Sequence, residues 1–108
     1  MKDDKTYLGH IKEAIEKTNR HISGFSYEQF LKDEKTIDAV IRELEIIGEA
    51  SNNISKEFQN AHPELPWFQM ISMRNRLIHE YFGVNEEVVW KTCQKDLPPL
   101  KKQLEEIS

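Results

Sequence analysis

Between Pro66 and Gly83, apolar residues return at three- and four-residue steps: Trp67, Met70, Ile71, Leu77, Ile78 and Tyr81. That period predicts an amphipathic helix from Pro66 to about Tyr81. At about 100° per residue, all six lie within roughly 60° of Arg74. A permanently charged guanidinium therefore stands in the middle of the apolar stripe, where it is rarely left unpaired. It must meet a carboxylate, line a cleft or face another subunit. Asn75 and His79 are one turn apart on the flank of the same helix. His79 falls about 140° from Arg74, so an ideal helix does not aim both at one point. Either the helix loosens after Ile78, the long arginine reaches round, or the site is completed across an interface.

Composition places this helix in an all-α chain. The 108 residues suit one domain, residues 1–108, with a modest core. Only four Gly and four Pro accompany 31% charged residues, which favours a helical globule over a disordered chain. The net charge of −4 argues against a global basic surface, so any nucleic-acid contact needs a local positive field. Cys93 is the sole cysteine and reads as a small buried side chain, so no intramolecular disulfide forms. Neither a signal peptide nor an apolar run of membrane length is legible, and the expected location is cytoplasmic.

Along the chain, helix is expected from residue 3 to about 22, capped by Asp3 or Asp4 and stopped at Gly24. Ser26-Tyr27-Glu28-Gln29 forms a capping-box pattern for a short second helix that breaks near Asp33. A long helix is expected from about Lys35 to Ile54, with Ile37, Val40, Ile41, Leu44, Ile47, Gly48 and Ser51 on its core face. Glycine in mid-helix costs about 1 kcal/mol against alanine; a close helix–helix approach would account for Gly48. Glu43 and Glu49 are the candidate carboxylates for Arg74, against the plainer reading of a solvated acidic face. Lys56-Glu57-Phe58 can add a helical turn before His62-Pro63-Glu64-Leu65-Pro66 ends it. Asn85 caps the next helix, which Leu97-Pro98-Pro99 is expected to break before a last short one. The architecture is an antiparallel bundle of four to five helices.

Metal-free RNA cleavage needs a base for the 2′-hydroxyl, an acid for the leaving 5′-oxygen and a cation for the phosphorane. Histidine serves as acid or base near neutrality, and arginine's planar fork suits phosphate. Asn75 can fix the imidazole tautomer, and Tyr81 can bond phosphate or stack a base. One motif histidine per chain supplies only one proton carrier. A two-fold homodimer would bring two copies of Arg74, His79 and Tyr81 to one cleft. A metal site of Glu43, Glu49 and His79 is discounted, because no ligand pair stands at a supportive spacing; His10 and His21 read as solvated helix histidines. Neither metal nor cofactor is expected.

Arg74-Asn75-x-x-x-His79-x-Tyr81 resembles the R-x4-H-x-Y signature of the HEPN superfamily, specifically the HepT-like toxins. Ile41 to Ala50 upstream, Pro63-Glu64-Leu65-Pro66-Trp67 before the motif and His79 to Val84 at its end match as well. The resemblance covers nearly the whole chain. It implies a helical HEPN-like bundle and a homodimer with a composite site that cleaves RNA without metal. It also implies that Tyr81 receives AMP from a cognate minimal nucleotidyltransferase, the antitoxin of the pair, which silences the toxin. The alternative is a non-catalytic module that serves as partner subunit of a nucleotidyltransferase.

Overall fold

The computed structural model describes residues 3–79 and 83–107. Most of the helices start where a polar side chain takes up free backbone N–H groups. α1 spans Asp4–Ile22, with the Asp3 carboxylate accepting the Lys5 N–H at 3.0 Å. It closes before Gly24, whose φ of 79° is a conformation glycine takes without strain. α2 spans Tyr27–Leu31 under a complete capping box: Gln29 N–H donates to Ser26 Oγ, and Ser26 N–H donates to Gln29 Oε1. Asp33 caps α3, Glu34–Asn53, and Ser55 caps α4, Lys56–Ala61. α5 is Trp67–His79; Pro66 stands just ahead of it, its carbonyl accepting the Met70 N–H at 3.0 Å. Asn85 Oδ1 accepts from Glu87 and Val88 at the start of α6, Glu86–Lys91. The described residues contain no strand, and the chain is the all-helical bundle expected.

One expected break is absent. α6 runs through a π-helical turn, Thr92–Asp96, straight into α7, Leu97–Ile107, and Pro98 and Pro99 lie inside the first turn of α7. The Leu97 N–H reaches back five residues to the Thr92 carbonyl. A proline ring in a helix collides with the carbonyl four residues earlier and offers it no N–H. The wide turn relieves that conflict by shifting the hydrogen-bond register just before the two prolines.

α3 lies at the centre, with α1 packed on one side and α5 on the other, and α7 closes against α1. Ile11, Ile15, Phe30, Val40, Val89 and Leu104 are fully enclosed. Polar ties fix the connections. Asp4 accepts from the backbone and hydroxyl of Ser55 at 2.8 and 2.7 Å, joining the start of α1 to the start of α4. Gln59 Nε2 donates to the Ser51 and Ile54 carbonyls at the end of α3. Trp67 Nε1 donates to the His62 carbonyl at 2.9 Å, which sets where α5 begins. No helix among the described residues is long and apolar enough to cross a membrane.

Cys93 is buried in the π turn, and burial pushes its thiol up from 9.0 to about 12. The folded state therefore holds a proton that the unfolded chain releases near pH 9. The thiol's stabilising contribution is complete below that value and is lost as pH rises from about 9 to 12. At pH 8 a thiol-specific disulfide reagent is expected to label Cys93 only after denaturation. Prompt labelling of the native protein would contradict the buried placement.

Candidate active site

α3 and α5 cross at Gly48 so closely that no side chain fits there. A Cβ on Gly48 would lie 2.7 Å from the Met70 carbonyl oxygen and would overlap the Arg74 Cβ. The glycine thus has the packing reason expected of it, and Arg74 is the residue seated over it. Ser51, one turn on, donates to the Ile47 carbonyl at 2.7 Å and sets its hydroxyl oxygen 3.4 Å from the Met70 sulfur.

Arg74 runs along this crossing with 19% of its side chain exposed. Nη1 lies 3.2 Å from Glu49 Oε1, one residue past the glycine. Glu49 also accepts from the Asn53 amide. Arg74 Nε is buried without a hydrogen-bond partner. The guanidinium is therefore anchored at one corner and keeps donor capacity for an anion. Glu43, the other candidate carboxylate, is buried and faces α1, with Oε2 3.9 Å from His21 Nε2. It lies five residues before Gly48, about 140° round α3 from the crossing, so it does not meet Arg74. His21, read as solvated, is half-buried by this contact.

Asn75 and His79 are exposed on the flank of α5. α5 remains a regular α-helix through His79, so it does not loosen ahead of the histidine. The imidazole thus faces solvent while Arg74 lies in the α3 crossing. Tyr81 lies outside the described residues. Glu43, Glu49 and His79 do not gather, and among the described residues no group of three His, Cys, Asp or Glu side chains could hold a metal ion.

Two features of α5 escaped the sequence reading. Phe68 is 78% exposed and Ile78 44%, both beside the Asn75–His79 flank. Behind α5, a groove of about 570 Å³ opens toward the π turn and α7. Phe68 lies about 120° from Arg74, off the stripe that marks the buried face, and that offset was the available signal.

The profile of the ribonuclease HepT-like family matches residues 11–107. The chain belongs to this family. It is 52% identical over 103 residues to "Probable ribonuclease HepT" of Thermococcus cleftensis, covering 95% of this chain and 94% of that protein. It is 46% identical over 107 residues to a protein named "Putative RNase" from Caldanaerobacter subterraneus subsp. tengcongensis, covering 99% of this chain and 96% of the other. A similarly named protein of Methanocaldococcus jannaschii is 41% identical over 106 residues, covering 98% of this chain and 88% of its own. No solved structure matches the chain significantly. In this HepT-like chain the residues of the R-x4-H motif sit on α5, with the arginine wedged against α3 and the histidine free on the surface.

Proposed function

We propose that this HepT-like protein is a metal-independent endoribonuclease that works as a homodimer. The observation that carries this reading is Arg74, fixed over Gly48 and held to Glu49 through Nη1 alone. A structural arginine would use its donors internally; this one keeps the outer part of its fork for an anion, while Nε is enclosed. In the reaction, one His79 takes the proton of an RNA 2′-hydroxyl and the oxygen attacks the adjacent phosphorus. The 5′-oxygen leaves and takes a proton from a second imidazole, giving a 2′,3′-cyclic phosphate and a 5′-hydroxyl. Arg74 offsets the charge that builds on the phosphorane oxygens. Asn75, one turn before His79, holds the imidazole tautomer, and Tyr81 positions the phosphate.

A second protomer supplies the second imidazole. One chain offers a single motif histidine, on a face turned away from Arg74, and a two-fold axis at this flank supplies the missing group with no further sequence. It also concentrates arginines that the net charge of −4 hides. The protein is the toxin of a toxin–antitoxin pair, and a minimal nucleotidyltransferase silences it by transferring AMP to Tyr81. The added phosphate brings negative charge to the place where substrate phosphate must sit.

Cleavage of a cellular RNA pool in EDTA tests this reading, with wild type beside the Arg74 and His79 alanine variants. Cutting by wild type alone is the expected result. If wild type is inert, the mass of the Tyr81 peptide decides: an added nucleotide means a silenced toxin, and an unmodified peptide contradicts the nuclease. Glu49 gives a finer check. Its carboxylate is 58% exposed, so Glu49→Ala is expected to change stability by less than about 1 kcal/mol. Cleavage should nevertheless fall about tenfold, because a guanidinium without its anchor is misplaced. Thermal unfolding beside initial rates separates the two effects.

A further inference from the structure

We infer that the groove behind α5 takes an unpaired nucleobase of the RNA substrate, with Phe68 as its stacking surface and Arg76 and Lys95 as its phosphate contacts. This rests on the ribonuclease reading above. The groove measures about 570 Å³ and is walled by apolar residues such as Met73, Val88, Leu97 and Leu100. That volume lies in the range of ligand pockets and is ample for a base with its sugar.

Phe68 stands at the rim with 78% of its surface exposed, although its neighbour Trp67 is buried. An aromatic ring left in water at the mouth of an apolar groove is the arrangement that stacks a base without reading its identity. Arg76 and Lys95 line the same groove from α5 and the π turn. Among the described residues neither is in an ion pair. Two acids share the lining, Glu64 and Asp96. The Glu64 carboxylate is turned to His62, Nδ1 to Oε2 at 3.3 Å. Asp96 can accept from an exocyclic amino group, and the Ser72 hydroxyl is in reach of the same space.

The rim of the groove shares a flank of α5 with the proposed site. Phe68, Ser72, Asn75 and His79 follow one another at three- and four-residue steps along one flank of α5. From Phe68 to His79 the helix rises about 16 Å, a distance that a few nucleotides of extended single strand can cover. A strand cut at His79 can therefore seat a neighbouring base on Phe68.

The test uses His79→Ala protein, expected to hold RNA without cutting it, and a short fluorescein-labelled oligoadenylate followed by anisotropy. Adding Phe68→Ala is expected to weaken binding about tenfold, the loss one base–aromatic stack supports. Phe68→Trp should restore it. Arg76→Ala with Lys95→Ala should weaken binding and flatten its salt dependence. Because Phe68 is exposed, thermal unfolding should stay unchanged. Phe68-dependent binding beside a wild type that never cuts RNA and carries no nucleotide on Tyr81 would keep this inference and remove the nuclease. Cutting and binding both indifferent to Phe68 would overturn the inference and leave the nuclease standing. Absence of oligoadenylate binding would overturn it too. So would a Phe68→Ala protein that binds RNA normally but no longer self-associates, since the groove would then be a protein interface.

Discussion

Replacing His79 with alanine is expected to lower RNA cleavage by about 10²- to 10⁴-fold, the range that one general acid–base group supplies. The loss should be at the upper end, because in the proposed homodimer a single substitution removes both imidazoles. The fold should not change, since the side chain is exposed at the last turn of α5. Imidazole added to the buffer should restore part of the rate if the missing group is a proton carrier. Arg74→Ala is expected to cost about 10²- to 10³-fold, the scale of one charge-stabilising donor at the reacting phosphate. The variant frees a half-exposed Glu49 and strips a side chain only 19% exposed from the α3 crossing, so some stability should be lost along with the rate. Initial rates with melting temperatures separate chemistry from folding. A fully active Arg74→Ala protein would make the arginine a packing residue.

Gly48→Ala is expected to destabilise the protein and cut activity together. Alanine gains about 1 kcal/mol of helix propensity over glycine. Against that stands a Cβ placed 2.7 Å from the Met70 carbonyl oxygen and overlapping the Arg74 Cβ. Those atoms belong to a backbone and to the root of a side chain, so neither can swing aside; α3 and α5 must part. Overpacking of this kind costs about 1–3 kcal/mol. The net loss should be on the order of 1 kcal/mol, or about 4–8 °C in melting temperature for a chain of this size class. Arg74 moves with α5, and displacement of about 1 Å at a reacting centre costs on the order of 10²-fold in rate. Rates should therefore be read well below the melting temperature. A Gly48→Ala protein that melts higher and cuts normally would contradict the close crossing.

The sequence carried most of this fold because each helix start has its own chemistry. Asp3, Ser26 and Asn85 announce their caps, and Gly48 announces a close approach, through local residue preferences that hold in almost any surroundings. The helix continuing through Pro98 and Pro99 was not legible, because a proline pair signals a break unless the register shifts before it. That shift is visible only in the bond from Leu97 to Thr92. At the site, the place of Arg74 on the apolar stripe was legible from periodicity, and its need for a carboxylate followed. Choosing between Glu43 and Glu49 depended on which side of α3 faces α5, a tertiary fact. Phe68 was overlooked because a single exposed aromatic has no periodic partner and gains meaning only beside a groove.

The most direct measurement is the chemical nature of the ends left on RNA cut in EDTA by the purified wild-type protein. A 2′,3′-cyclic phosphate, or the 3′-phosphate that its hydrolysis gives, is expected on one fragment and a 5′-hydroxyl on the other, since attack by the neighbouring 2′-oxygen expels the 5′-oxygen. Fragments with a 5′-phosphate and a free 3′-hydroxyl, or cutting that stops when EDTA is added, would contradict a metal-free site built from Arg74 and His79.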